Sequence, residues 1–318
     1  MPTYLELPKD RTPTCLADWI ELNALIDTDG SVSRQDLLSI LTGESEPPEK
    51  DQITSSQQDD LTDDAFGEIQ RRVRSAGGSY PFFIDKEKVV RKEGKYTPYI
   101  FCLLVAFYGV EERKLFSEWK KDEISKCFEE LSELSIKNLL NNNILNAESC
   151  VFGWPRKWDG KADNPKFKLA LHKLCTDCKQ MKPKDRIIAQ VAKDAGLDIV
   201  CWKTFPDKML GGILFLGQCA TGSNWTDKLS DIKKFTFFID QDRTEPITGT
   251  FIPHMPDISD IAGEEKWIMH IQRTGLLFNR CRIALLANNQ WNDKWADKMC
   301  KKALKAIYKQ AIKKYLTV

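Results

Sequence analysis

GLDIVCWKTFPDKMLGGILFLGQCATGSNW, residues 196–225, contains two apolar segments of strand length joined by TFPDKMLGG, whose proline, aspartate and glycines are typical of a turn. Strands joined by so short a connection are antiparallel neighbours. The beginning of the first strand then lies beside the end of the second, so Asp198 and Gln218 are predicted at one end of a hairpin, close enough to share a ligand. Downstream, Ser223 or Asn224 can cap a helix whose free N–H groups point to the same place.

The remaining sequence predicts two regions of different composition. Residues 1–111 are predicted to form a mainly helical, acidic N-terminal region with a polar loop at 43–60 that is nearly devoid of aliphatic residues. Residues 112–318 interleave strand and helix patterns, which predicts an α/β domain. That domain is expected to end in a basic amphipathic helix with eight lysines between Lys294 and Lys314.

Charge is distributed unevenly along the chain. The formal net charge of the 318 residues is only +1, but residues 1–70 contain 16 Asp and Glu against 4 Lys and Arg. The remaining 248 residues therefore carry a net charge of +13. This balance indicates either two solvated surfaces of opposite sign or a basic body that meets a polyanion such as DNA. In the second case, the acidic region is expected to contact a partner protein or to cover the basic surface.

Features that bear on the cellular compartment point to the cytoplasm. The longest apolar run, residues 96–110, is shorter than the roughly 18 residues that span a bilayer, and it contains Pro98. The N-terminus lacks the basic and then apolar pattern of a signal peptide. Ten cysteines follow no regular spacing, which favours free thiols in a reducing compartment. We therefore expect a cytoplasmic protein with no membrane partner, and the sequence leaves a homo-oligomer open.

Three short motifs around the predicted hairpin resemble those of the restriction-endonuclease-like nucleases, the PD-(D/E)xK superfamily. In that family an Asp opens one strand, a (D/E/Q)-x-K triplet closes the next, and a helical Glu often precedes both. The corresponding residues here are Asp198 in GLD, Gln218 in QCA and Glu129 in FEEL. The resemblance covers roughly residues 125–235. It implies a restriction-endonuclease-like mixed sheet flanked by helices, with Mg²⁺ or Mn²⁺ held by Asp198, Gln218 and Glu129.

One position departs from the family pattern. The triplet ends in Ala220, where a lysine is expected to stabilise developing charge. Lys228 is the predicted replacement, because it follows soon after and helical side chains lean toward the N-terminus of their helix. Lys203 is a poorer candidate, since it lies about 17 Å along the first strand from the candidate aspartate. If Lys228 does not reach the site, the fold is expected to be inactive or to use metal alone. If a Lys228 variant cleaves at the parental rate, Lys193 or Arg280 is the next candidate.

The resemblance implies a divalent-metal-dependent endonuclease that hydrolyses DNA phosphodiester bonds, with Asp198, Gln218, Lys228 and Glu129 as its catalytic residues. It also implies a setting in prokaryotic defence against foreign DNA. The main alternative is a catalytically inactive subunit on the same fold that binds nucleic acid or takes part in an assembly.

Two cysteine-based alternatives also follow from the residues. Cys219 lies before a predicted helix N-terminus, which can depress the pKa of a thiol. A cysteine hydrolase would need a histidine base. The chain offers three: His172, His254 and His270. Cys175 and Cys178 form a single C-x-x-C that could bind zinc with His172, but a structural zinc site needs four ligands, so two thiols on a helix face are the favoured interpretation.

Overall fold

A computed structural model gives the fold, and it describes residues 4–43, 55–108, 120–153, 166–184, 194–207, 209–240, 245–258, 261–288 and 290–316. The chain is a mixed α/β protein. Its helices are α1 (Pro13–Ile26), α2 (Arg34–Gly43), α3 (Ser55–Ala76), α4 (Thr97–Tyr108), α5 (Lys121–Leu140), α6 (Phe167–Cys178), α7 (Trp225–Lys228), α8 (Asp231–Phe235), α9 (Ile261–Thr274), α10 (Arg280–Ala287) and α11 (Lys294–Leu316). Its strands are β1 (Ser31–Ser33), β2 (Phe82–Asp85), β3 (Lys88–Arg91), β4 (Glu148–Val151), β5 (Lys182–Pro183), β6 (Ile199–Lys203), β7 (Ile213–Cys219), β8 (Ile239–Asp240), β9 (Ile247–Phe251) and β10 (Leu276–Phe278).

The chain divides into two compact units. The first unit comprises residues 1–119, 254–266 and 280–318, and the second comprises residues 120–253 and 267–279. The sequence assigns the C-terminal helix to the α/β domain, whereas the structure packs α11 against α1 and α4 in the first unit. The reason is the apolar face of α11, which is buried there through Ala296, Ala303 and Ile307.

The first unit contains a small sheet as well as helices. Its three antiparallel strands have the order β1-β3-β2, whereas the sequence predicts a mainly helical region and signals no strand here. Strands β2 and β3 have four residues each, and Lys86 in the turn between them has a φ of 54°. In a sequence, a hairpin is usually indicated by Asn or Gly at such a left-handed position. Because a lysine stands there, the sequence pattern does not predict this turn.

A buried ion-pair network links the helices of the first unit. The fully buried Arg72 of α3 contacts Asp18 at 2.6 Å, Glu21 at 2.8 Å and Glu68 at 2.7 Å. Arg280 of α10, also fully buried, pairs with the same Asp18. Burial alone would raise the pKa of Asp18, but the charges of Arg280 and Arg72 hold it below its ordinary value. The network therefore keeps Asp18 ionised in the interior.

Part of the acidic N-terminal region is thus core. Asp18, Glu21 and Glu68 are buried, and Trp19 between the first two is fully buried as well. Removal of residues 1–70 would remove α1, α2 and most of α3, so the region is not a separable acidic arm. The acidic stretch at 44–54 lies outside the described residues.

The apolar run at 96–110 contributes α4, which has 12 residues. Its Phe101, Leu103 and Leu104 are fully buried in the first unit. Within the described ranges, no helix combines the length and the apolar composition needed to cross a membrane.

The second unit is built on a five-stranded mixed sheet with the order β10-β9-β7-β6-β4. Strands β6 and β7 are antiparallel, as the hairpin signal predicts. Strand β4 also pairs antiparallel with β6, and β7, β9 and β10 are parallel. Helices α7 and α8 lie between β7 and β9 in the chain, and α9 lies between β9 and β10. Helix α5 packs on β4, β6 and β7. The predicted α/β class is confirmed.

The hairpin strands β6 and β7 point alternate side chains to opposite faces of the sheet. One face carries an apolar cluster formed with α6 and α8, and it includes Val200, Trp202, Leu214 and Leu216. By the same alternation, Asp198 and Gln218 extend this face by one position at the end of the hairpin. The apolar cluster therefore ends at two polar residues.

Candidate functional site

The pairing of β6 with β7 brings Asp198 and Gln218 to the same end of the hairpin. Ile199 lies opposite Gly217, and the Asp198 N–H donates to the Gly217 carbonyl at 3.0 Å. The Cys219 N–H donates to Asp198 Oδ2 at 2.7 Å. One carboxylate oxygen of Asp198 is therefore held on the backbone of β7, beside Gln218.

Gly153, which follows β4, connects this aspartate to Glu129 of α5. The N–H groups of Phe152 and Gly153 donate to the Asp198 carbonyl at 2.6 and 3.1 Å. A Cβ atom on Gly153 would lie 2.7 Å from Oε2 and 2.9 Å from Oε1 of Glu129. The glycine thus leaves the space that the Glu129 carboxyl group occupies, and Glu129 joins Asp198 at the end of the hairpin.

The surroundings of both carboxyl groups disfavour their ionised forms. Burial, followed by the charges of Asp198 and Asp194, raises the pKa of Glu129 to about 9. Burial also raises the pKa of Asp198 to about 7, although the Cys219 N–H and the Lys228 charge lower it. Both residues are partly exposed to solvent. Two acids with raised pKa values next to each other are typical of a functional site.

Gln218 adds a buried amide to the same end of the hairpin. Its side chain is 5% exposed, and Oε1 has no hydrogen-bond partner among the described residues. Thr250 lies opposite Gln218 on β9, but its hydroxyl is hydrogen-bonded to that of Thr274 at 2.5 Å. A buried acceptor without a donor costs about 1–3 kcal/mol. Such an oxygen is available to coordinate a cation.

Packing explains the alanine at the position where the family pattern has lysine. Ala220 is fully buried in a small apolar cluster with Leu229, Ile252 and Leu277. A lysine there would place a charged group in this cluster, at a large desolvation cost. The residue before Leu229 is Lys228, which is half-buried and lowers the pKa of Asp198 through its charge. The structure therefore brings Lys228 within electrostatic range of the candidate site.

Asp194 is a third acid near the site, and the sequence analysis does not select it. Its Oδ1 accepts the Gly196 N–H at 3.0 Å, in a turn where Gly196 has a φ of 80°. The charge of Asp194 raises the pKa values of Glu129 and Asp198. The only sign of a functional role in the sequence is the position of Asp194 four residues before Asp198. An Asp two positions before a Gly is also typical of an ordinary turn.

The predicted helix cap is corrected, and the alternative cations that the structure describes lie elsewhere. Helix α7 is a single turn of four residues, and its N-cap residue Asn224 makes no side-chain cap hydrogen bond because its backbone is not extended. Arg280 belongs to the buried network of the first unit. Lys203 donates from Nζ to the Leu140 carbonyl at 2.6 Å, at the other end of β6. Lys193 lies outside the described residues.

The cysteine hydrolase alternative gains no support from the surroundings of Cys219. This half-buried residue of β7 uses its backbone N–H to bind Asp198. His172 is exposed on α6, and the ring of His270 packs on Trp225 with centroids 5.0 Å apart. His254 lies in the first unit.

The C-x-x-C of α6 forms part of the interior. Cys175 and Cys178 are buried in the apolar cluster beside the sheet, whereas His172 points to solvent. Burial raises the pKa of the Cys178 thiol, which opposes the thiolate form that zinc requires. Both cysteines are therefore core residues, as the favoured interpretation of the sequence holds.

The donor set at the end of the hairpin suits a hard divalent cation. Within the described ranges, no group of three or more His, Cys, Asp or Glu side chains is arranged to hold a metal ion. The candidate set consists instead of the carboxyl groups of Glu129 and Asp198 and the amide oxygen of Gln218. All three donors are oxygen, the ligand type of Mg²⁺ and Mn²⁺. A cation there would satisfy the amide oxygen and stabilise both carboxylates, so these residues fit the metal that the resemblance implies.

Comparison with known proteins gives the chain no family. No family model, no curated protein and no solved structure matches it.

Proposed function

We propose that the second unit is a restriction-endonuclease-like nuclease domain that hydrolyses DNA phosphodiester bonds with Mg²⁺ or Mn²⁺. One observation carries the proposal: two neighbouring acids with raised pKa values lie at one end of a hairpin, and the second strand of the hairpin carries a buried, unsatisfied amide oxygen at the same end. These groups belong to Glu129, Asp198 and Gln218.

The order of the elements supports the same interpretation. The motifs of the PD-(D/E)xK superfamily are a helical Glu, an Asp that opens a strand, and a triplet that closes the next strand. Here Glu129 lies on α5, Asp198 immediately precedes β6, and Gln218 is the penultimate residue of β7. Because β6 and β7 are antiparallel, Asp198 lies beside Gln218, and Glu129 is near enough to Asp198 for the charge of Asp198 to raise its pKa.

Each residue has a defined part in the proposed reaction. Glu129, Asp198 and Gln218 would hold the metal ion, with Asp198 oriented by the Cys219 N–H. When bound, Mg²⁺ supplies charge stabilisation for the phosphodiester and a stronger water nucleophile. Glu129 and Asp198 must lose their protons to bind the metal, because their raised pKa values favour the protonated forms in its absence.

Lys228 would stabilise negative charge that develops on the phosphate. Its charge already acts on Asp198, and its side chain is half-buried beside Leu229. A cation at this place would do the work of the lysine that Ala220 replaces. The proposal therefore assigns Lys228 a role that the family pattern gives to the end of the triplet.

The central test is cleavage of duplex DNA by the full chain with Mg²⁺, compared with Asp198→Asn. The amide keeps the shape and removes the charge, so cleavage should fall by on the order of 100-fold or more while the fold persists. Asp177→Asn is the matched control, because Asp177 is an exposed acid of the same unit that pairs with Lys173. Cleavage by Asp198→Asn at the parental rate would refute the site.

The inactive-subunit alternative makes a different prediction. It is favoured by Ala220, because a domain without the triplet lysine can keep its fold and lose catalysis. In that case the parental protein would bind DNA equally well with EDTA or Mg²⁺ and cut nothing. A role in prokaryotic defence against foreign DNA accompanies the nuclease proposal through the resemblance. Challenge of cells that carry the Asp198→Asn variant with a DNA phage would test that role.

A further inference from the structure

Helix α11 of the first unit carries a stripe of lysines on its outer side. Over 23 residues it has eight lysines and one acid, Asp297. Among the described side chains, six lysines are exposed, and we call them the α11 stripe: Lys294, Lys298, Lys301, Lys302, Lys305 and Lys309. At 100° per residue, these six positions fall within an arc of roughly 100°.

The length of the stripe is that of a nucleic-acid contact. Residues 294 to 309 span about 22 Å of helix axis at 1.5 Å per residue. The same length of duplex DNA covers roughly six base pairs and carries one negative charge per about 1.7 Å. In the stripe, Lys301 pairs with Asp297 at 2.8 Å, and this is the only acid on α11. The stripe therefore keeps a strong net positive charge that matches a polyanion.

The opposite, apolar face of α11 is not available for binding to a membrane surface, which is another common role of basic amphipathic helices. Membrane-surface helices insert their apolar side into the lipid headgroup region. The apolar side of α11 is already buried in the first unit, through Ala296, Met299, Cys300, Ala303 and Ile307. Among the described side chains of α11, the exposed ones are the six lysines and Gln310, so electrostatic contact with phosphates is the interaction that this exposed side favours.

We propose that the α11 stripe binds the phosphate backbone of duplex DNA without reading its sequence. The identity of the polyanion rests on the proposed nuclease function, whereas the stripe itself follows from α11 alone. Lysine contacts with phosphates make affinity depend on salt, because each contact releases counterions. The stripe thus adds a binding surface in the first unit to the candidate catalytic site in the second.

The experiment measures the affinity of the full chain for a fluorescent DNA duplex in EDTA, so that no cleavage occurs. The variant carries Lys298→Gln, Lys305→Gln and Lys309→Gln. These three positions lie at the centre of the roughly 100° arc, and the substitutions remove three charges from it. Each lost phosphate contact should make the slope of log affinity against log salt less negative by about 0.9. For three contacts, the loss of affinity between about 50 and about 200 mM salt should become about 40-fold smaller.

A second variant, Lys9→Gln, Lys86→Gln and Lys88→Gln, is the matched control. These three lysines are exposed in the same unit but lie outside α11, so the net charge changes equally. The inference requires a clearly smaller change of the salt slope in this control. An equal change in both variants, or a parental slope in the stripe variant, would overturn it. Binding to phosphatidylserine vesicles without binding to DNA would overturn it too.

The outcomes separate this inference from the proposed function. If the stripe variant loses DNA affinity but the parental protein never cleaves DNA, the stripe stands and the nuclease proposal falls. If the parental protein cleaves DNA but the stripe variant binds DNA with parental affinity, the nuclease proposal stands and the proposal for the α11 stripe falls.

Discussion

The two units differ in what surrounds their buried acidic side chains and in the direction in which the pKa values of these side chains are shifted. In the first unit, the buried Asp18, Glu21 and Glu68 all contact Arg72, and the pKa of Asp18 lies below its ordinary value. In the second unit, Glu129 and Asp198 take no part in the ion pairs of the described residues. Their pKa values rise to about 9 and about 7.

The difference indicates where a ligand belongs. A network whose acids contact arginines can be explained by the stability and specificity of the fold. Acids placed together without a contacting cation lower the stability of the fold at neutral pH, and a fold keeps such a site when a ligand supplies the charge. The first unit therefore contains a structural network, and the second contains the candidate metal site.

The largest expected effect concerns stability and sets the two units apart. Arg72→Met leaves three buried acids without their shared partner, so the first unit should lose about 3–5 kcal/mol. Glu129→Gln removes a carboxyl group that is mostly protonated at pH 7, so the metal-free second unit should lose nothing or become slightly more stable. Segment-resolved hydrogen exchange in increasing urea measures the free energy of unfolding of each unit separately. Equal destabilisation by both substitutions would contradict the comparison.

Lys228 is the cation whose charge acts on Asp198, and its removal tests the second unit alone. Lys228→Met keeps the aliphatic stem and deletes the charge, so the pKa of Asp198 should rise further. Cleavage should fall by on the order of 100-fold, because phosphate charge in the transition state loses its counter-charge. Single-turnover cleavage with saturating Mg²⁺ measures the effect. Lys234→Met on the neighbouring α8 is the control, since Lys234 is exposed and pairs with Asp231. A parental rate in Lys228→Met would remove this residue from the site.

The pH dependence of stability should have opposite signs in the two units. A raised pKa means that the folded state keeps protons which the unfolded chain has lost, so stability falls as pH rises. For Glu129 and Asp198 this loss runs from about pH 4, near their ordinary values, through about 7 and 9. In the first unit the pKa of Asp18 is lowered, so its contribution is present above pH 4 and is lost at acid pH.

Urea unfolding of the metal-free protein at pH 5, 7 and 9, followed by hydrogen exchange, measures these trends. The stability of the second unit should fall across this range, and saturating Mg²⁺ should reduce the loss of stability. Metal binding at pH 7 should also release protons, which calorimetry in buffers of different ionisation enthalpy detects. Binding without proton release would place the metal elsewhere.

The smallest expected effect concerns the position of Glu129. Gly153→Ala adds a methyl group within 3 Å of the Glu129 carboxyl oxygens, which must move away. Because a carboxyl group at the end of a flexible side chain moves easily, the stability of the unit should change by less than about 1 kcal/mol. Metal affinity should fall about 10-fold, as it does when groups that orient metal ligands are altered. Gly78→Ala, at a glycine with open space around it, is the control. Unchanged metal affinity in Gly153→Ala would show that Glu129 is no ligand.

Local patterns in the sequence predict much of the second unit. The turn residues between two apolar segments predict the β6–β7 hairpin, and antiparallel geometry then places Asp198 beside Gln218. The resemblance adds Glu129, which the structure brings to the same place through Gly153. The hairpin prediction is confirmed because the short turn leaves only one register in which the apolar side chains share a face.

Long-range packing decides what the sequence leaves open. Asp194 looks like an ordinary turn residue until the fold brings its charge near Glu129, and Arg280 looks available until Asp18, 262 positions away, binds it. The assignment of α11 to the first unit and the burial of Ala220 likewise depend on partners from distant parts of the chain. The sequence by itself determines which residues can form strands, turns and charged helix faces, because those choices depend on near neighbours. Only the tertiary structure determines which acids have a contacting cation, because burial and charge are set by residues that meet only after folding.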